Sequence, residues 1–151
     1  MVSLKLDDRL LAAYLFYGSI LLLKTWAMSF LTARHRIKNK VFPSPEDYGG
    51  KNKDKPLIHH ADVERVRRAH LNDLESIPVF LIVALLYSFS GLPAIRAIWC
   101  LRIFTAARIL HTISYLNAIT LPRAISFLVG AGCTVFLAGN VLYAAFKTGA
   151  F

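Results

Sequence analysis

Two stretches of the chain are apolar for longer than a helix in water requires. Leu10 to Ala33 is interrupted by one charge, Lys24, and Ala124 to Phe146 by none. A helix needs ~20 such residues to cross the ~30 Å hydrocarbon core of a bilayer, so both predict spanning helices. A third stretch, Ile77 to Ser90, is short alone, but a patterned segment from Asp62 extends the same helix. The fourth, Ala97 to Leu121, carries Arg102, Arg108 and His111 among apolar residues. Helices are therefore expected at about 10–34, 62–90, 96–117 and 123–147, with a loop at about 35–61. The fold class is all-α: an integral membrane four-helix bundle occupying 1–151 as one domain.

Local punctuation supports these limits. Pro43, Pro45, Gly49, Gly50 and Pro56 interrupt helical hydrogen bonding and favour turns, which makes the 35–61 segment a loop long enough to act as a lid. Asp62 is the expected N-cap of the second helix, with Glu64 in its first turn, where the helix dipole favours an anion. Pro78 removes one backbone hydrogen bond and should bend that helix near Leu74, and Gly91 and Pro93 end it. Gly130, Gly132, Ala138 and Gly139 allow close helix approach in lipid. The first apolar stretch exceeds the ~7–15 residues of a signal-peptide core and lacks a small-x-small site before Arg34. A retained first helix is expected.

Composition agrees with a bilayer solvent. Apolar residues make up 56% of the chain, above the ~45–50% of soluble domains. The formal charge of +9 is unevenly distributed, with ten of the 18 basic residues between Arg34 and Arg68. Short loops rich in Lys and Arg remain cytosolic, so this segment should face the cytosol and both termini the lumen. The basic residues flank or enter apolar spans, and no nucleic-acid-binding motif accompanies them. Cys100 and Cys133 are too few for a disulfide framework or a zinc site and read as buried small residues. No metal is expected.

Chemistry concentrates where the second helix enters the membrane. At ~3.6 residues per turn, Arg65, Arg68, Asn72 and Glu75 form one stripe, and Arg67, His70 and Asp73 an adjoining one. A solvated, salt-bridged helix end would account for this pattern in a soluble protein. Here the apolar run that follows puts Asp73 and Glu75 near or inside the bilayer. Arg108, His111, Thr112 and Tyr115 form a matching stripe on the third helix, and a polar face on a spanning helix is normally turned inward. No acidic residue follows Glu75. Arg108 must therefore pair with carboxylates of the second helix, with another subunit, or with a bound anion. Lys24 has the same need, and Asp73 or Glu75 is its expected partner. The resulting pocket of several cations, a few carboxylates and one tyrosine suits a small charged peptide beside a hydrophobic co-substrate.

The string Glu64-Arg65-Val66-Arg67-Arg68-Ala69-His70-Leu71-Asn72-Asp73-Leu74-Glu75 resembles the MAPEG family, membrane-associated proteins of eicosanoid and glutathione metabolism. Val41-Phe42 and Pro45-Glu46-Asp47 precede it, and Ala107-Arg108-Ile109, His111-Thr112-Ile113 and Tyr115-Leu116 follow it in the same order. The resemblance implies a homotrimer in lipid, with glutathione held between neighbouring subunits near the cytosolic side. It further implies a home in the endoplasmic reticulum and mitochondrial outer membranes. By position, Arg36, Arg67, Arg68, His70, Asn72, Glu75 and Tyr115 match the family's glutathione contacts and Arg123 a further basic contact. Arg108 matches an arginine that stabilises the thiolate, and Tyr115 would assist it. The implied activity is attack of glutathione thiolate on hydrophobic electrophiles or lipid hydroperoxides.

Two departures from the family bear on regulation and reaction type. Mammalian transferases of the family carry a cysteine after the Pro-Glu-Asp string, where this chain has Tyr48, so activation through a thiol at that position is not expected. The family's prostaglandin E synthases carry a serine after the arginine matched by Arg123, where this chain has Ala124, which counts against prostaglandin isomerisation. A non-catalytic lipid-binding scaffold remains an alternative, disfavoured by the dense Arg, His, Asn and Glu cluster. A channel would need a charged path across the membrane, whereas these residues gather toward one side.

Overall fold

The computed structural model describes residues 7–48 and 60–149. Four helices follow one another: α1 (Asp8–Asn39), α2 (Ala61–Ser88), α3 (Ala94–Leu116) and α4 (Thr120–Lys147), with a 3₁₀ turn at Pro45–Tyr48 between the first two. The end of the bundle bearing the α1–α2 connection is called the loop end below.

Asp7 caps α1 through its carboxylate, which accepts from the backbone N–H groups of Arg9 at 2.9 Å and Leu10 at 3.0 Å. The helix does not end where its apolar run ends. It continues through Arg34, His35 and Arg36 to Asn39 and stops at Lys40, which has φ 53° and donates its N–H to the carbonyls of Arg36 and Ile37. Nothing from Arg34 to Asn39 opposes a helix, and the first proline is Pro43. The connection is correspondingly shorter than the expected 35–61. Gly49, Gly50, Lys51, Lys53, Lys55 and Pro56, in the middle of the proposed lid, lie outside the described residues.

The N-cap of α2 is His60 rather than Asp62: its side chain accepts from the N–H of Asp62 at 3.3 Å. Asp62 and Glu64 then lie in the first turn, complementing the dipole. α2 continues as one α-helix through Pro78. Gly91 takes φ +69° in the turn that follows, a backbone state natural to glycine. α4 begins at Thr120, three residues before the expected start, because a first turn tolerates Pro122.

α1, α2 and α4 are each long and apolar enough to cross a membrane. α3 has 23 residues, or ~35 Å at ~1.5 Å per residue, and covers a similar thickness with Arg108, His111 and Thr112 turned inward. α1 and α4 occupy opposite corners of the bundle, while α2 and α3 touch each other and both corners. Away from the loop end the helices meet on a hydrophobic cluster that includes Leu21, Ile77, Leu101 and Leu137. Phe80 and Phe104 stack within it, centroids 3.7 Å apart and planes 4° from parallel. Tyr14 and Tyr87 bury their rings there and donate their hydroxyls to the carbonyls of Leu81 and Pro93. Leu22, Leu23, Trp26, Leu128, Val135 and Leu142 point outward, an exposure that lipid removes.

Candidate active site

Toward the loop end the apolar core gives way to charge. Asp73 of α2 is fully buried and holds two cations at once: its Oδ1 accepts from Arg108 NH2 and its Oδ2 from Lys24 Nζ, both at 2.5 Å. Arg108 is 1% exposed and Lys24 14%. The expected carboxylate partner of Lys24 is thus Asp73, and the same oxygen pair meets the need of Arg108. Among the described residues, two cations and one carboxylate leave the cluster with one uncompensated positive charge. Burying ions costs several kcal/mol each unless their partners return it, and this cluster is short of one anion.

The cluster borders a cleft of about 310 Å³ between α2, α3 and α4. Asn72, Glu75 and Ser76 line one side, Arg108 and Phe104 the floor, and Phe127, Gly130 and Thr134 the other side. A Cβ built on Gly130 would lie 3.5 Å from the Phe104 ring and 3.9 Å from Arg108 Cδ, so the absent side chain leaves the floor accessible. Glu75, Val79, Ala131 and Val135 are exposed at the rim, so the cleft opens sideways from the bundle. Five buried side-chain atoms have no hydrogen-bond partner among the described residues: Asn72 Oδ1, Thr105 Oγ1, Arg108 Nε, His111 Nδ1 and Thr112 Oγ1. Buried polar atoms are seldom left unpaired. Asn72 and Arg108, which carry two of them, also line the cleft.

Nearer the loop end, the Arg123 guanidinium lies 4.8 Å from the centroid of the Tyr115 ring, and the His111 ring lies 5.6 Å from it. Tyr115 is two turns beyond Arg108 on α3, so these groups continue the polar face outward.

The remaining expected contacts lie elsewhere. Arg36, Arg67 and His70 line a second groove of about 350 Å³ between α1 and α2, together with Ser29, Thr32 and Phe42. Arg67 also donates to Glu64 at 3.3 Å. Arg68 is exposed, on the stripe shared with Asn72 and Glu75. At ~100° per residue, that stripe lies ~140° around α2 from the midpoint of Arg67 and His70. The nine expected site residues are therefore not one cluster within a chain. Asn72, Glu75 and Arg108 meet at the cleft, Tyr115 and Arg123 pair beyond it, and Arg36, Arg67 and His70 lie across α2.

Of the α4 wall of the cleft the sequence singled out Gly130 alone, as a place of close helix approach. Phe127, Gly130, Ala131 and Thr134 recur at i, i+3, i+4 and i+7 along α4 with Gly at the point of closest approach, a pattern visible in the chain but shared with ordinary helix packing.

The sequence matches a family profile described as MAPEG family over residues 14–143. It is 48% identical to microsomal glutathione S-transferase 1 of Homo sapiens over 142 residues, which is 91% of this chain and 92% of that protein. Identity to microsomal glutathione S-transferase 1 of Rattus norvegicus is 46% over 149 residues, 94% of this chain and 96% of that one. Prostaglandin E synthase of Homo sapiens is 32% identical over 126 residues, 83% of each chain.

Proposed function

The chain belongs to the MAPEG family, and on that premise we propose that it is a membrane-bound glutathione transferase whose cleft holds the thiolate of glutathione against the Arg108 cluster. The observation that carries this reading is the buried excess of one positive charge beside a cleft that opens sideways. An anion in the cleft completes the pairing that Asp73 alone leaves short. The sideways opening, flanked by Val79, Phe127 and Val135, gives a hydrophobic electrophile a route from the lipid.

A free cysteine thiol has a pKa near ~8.5, and an adjacent cation lowers it. A shift of two units requires ~2.7 kcal/mol of preference for the thiolate. Arg108, shielded from water, supplies the charge and the Tyr115 hydroxyl a hydrogen bond. Asn72 and Glu75 bind the polar backbone and ammonium of the tripeptide, and Arg68 and Arg123 its carboxylates. The thiolate sulfur attacks an electrophilic carbon, and the leaving group departs with the bonding pair. With a lipid hydroperoxide it attacks the terminal oxygen instead, releasing the alcohol. The resulting glutathione sulfenic acid and a second glutathione give the disulfide and water. In both reactions the enzyme supplies an activated nucleophile and holds the partners together.

The division of the expected contacts between two sides of α2 supports a homotrimer. One copy contributes the cleft, and a neighbour brings Arg36, Arg67 and His70 to the same ligand. The basic residues of the loop end orient it toward the cytosol, in the endoplasmic reticulum and mitochondrial outer membranes. Ala124 favours conjugation over prostaglandin isomerisation.

The test is conjugation of glutathione to a halonitrobenzene by the protein in lipid nanodiscs. Arg108→Ala is expected to lower kcat/KM by about 100- to 1,000-fold, the loss seen when one preorganised charge-stabilising donor is removed. Turnover equal to that of the unmodified protein would remove Arg108 from the mechanism.

A further inference from the structure

We infer that Lys24, on a helix that contributes nothing to the lining of the cleft, is a positioning residue that sets how much of the Arg108 charge the thiolate feels. The inference rests on the reading that the thiolate lies against Arg108. A lone Asp73–Arg108 pair would be neutral, and its field in the cleft would be that of a dipole. Lys24 changes this by taking the second oxygen of the same carboxylate. Oδ2 is engaged at 2.5 Å by Nζ and Oδ1 at 2.5 Å by the guanidinium, so one negative charge is divided between two cations. The guanidinium uses NH2 for this contact, its Nε has no partner among the described residues, and its side chain lines the cleft. Lys24 acts through Asp73, and the anion it helps to stabilise is on the other side of Arg108.

Other charges near the cluster do not substitute for it. On α1 the group in contact with Asp73 is Lys24 itself. On α2 the charged groups are Asp73, Glu75 at the exposed rim, which opposes a thiolate, and Arg68, exposed one turn before Asn72 on the same stripe and nearer the loop end. On α3 they are Arg108 and His111, the latter within electrostatic reach of Lys24, Asp73, Arg108 and Arg123. From α4 the cleft receives only uncharged residues, and Arg123 stacks on Tyr115 nearer the loop end. Lys24 is thus the group that converts a balanced buried pair into a cationic one.

The experiment follows enzyme-bound thiolate by its ultraviolet absorbance, and kcat/KM for a halonitrobenzene, across pH in nanodiscs. Lys24→Met removes the charge and leaves Asp73 and Arg108 as a balanced pair. Lys24→Gln removes the charge but keeps a donor for Oδ2, and provides the answer if the methionine variant does not assemble. Lys24→Arg keeps the charge. The neutral variants should move the midpoint of thiolate formation upward by about one pH unit, lowering kcat/KM about tenfold near neutrality. At high pH the rate should recover, and Lys24→Arg should stay near the parent. A loss that is equal at every pH, or a changed KM for glutathione with an unmoved midpoint, would overturn the inference and reduce Lys24 to a packing residue. Absence of thiolate absorbance in the unmodified protein would instead remove the reading beneath it, whatever the variants do.

Discussion

The two halves of this bundle bury side chains of opposite character. Away from the loop end, Phe80, Phe104, Leu101 and Leu137 fill the space between helices with hydrocarbon. Toward the loop end the apolar cluster shrinks to Met28, Val66 and Ala69, with Leu31, Tyr115 and Leu116 against it, and Lys24, Asp73 and Arg108 lie between the two clusters. Hydrocarbon packing tolerates lipid at its edges and needs no partner of particular charge. The ionic layer needs one, and it borders a cleft. One half holds the helices together, and the other holds groups that are costly to bury and useful to an anion.

The largest expected effect that would break this contrast comes from Asp73→Ala. It strands both Lys24 and Arg108, and removal of one partner from a buried ionic group costs ~3–5 kcal/mol. Unfolding in mixed micelles should show that loss, together with loss of conjugating activity. A variant of unchanged stability would mean that the two cations find other partners. Next is Leu101→Ala in the apolar half, a fully buried side chain that does not line the cleft, with a cost of ~2–5 kcal/mol. Here kcat/KM per folded molecule should stay near the parent value. A large loss of activity in that folded fraction would show that the halves are not separable. The smallest effect is expected from Gly130→Leu, which extends a side chain toward Phe104 and Arg108. Steady-state kinetics should show a raised KM for bulky electrophiles, with glutathione affinity measured by dialysis unchanged.

The ionic layer was legible in the chain because charge must balance in a membrane. With no carboxylate after Glu75, Arg108 had to find a partner on the second helix or outside the chain, and Asp73 is on the stripe facing it. The four helices were legible from apolar run length, but their ends were not. Polarity marks where a helix leaves the hydrocarbon, whereas its hydrogen bonding continues until a breaker, so α1 extends through three basic residues to Asn39. His60 was missed as a cap because its ring accepts a backbone hydrogen bond that composition assigns to Asp62. The separation of the expected contacts was hidden for a different reason. Residues 67, 68, 70 and 72 are close in sequence, yet the direction of the neighbouring helices decides that Arg67 and His70 face α1 while Asn72 faces α4.

The most direct measurement is a cryo-electron microscopy structure of the protein in nanodiscs with glutathione sulfonate, whose sulfonate stands in for the thiolate. The account predicts the sulfonate in the cleft between α2, α3 and α4, within ~4 Å of the Arg108 guanidinium, the reach of an ion pair. A sulfonate bound only among Arg36, Arg67 and His70, with phospholipid filling the cleft, would contradict it.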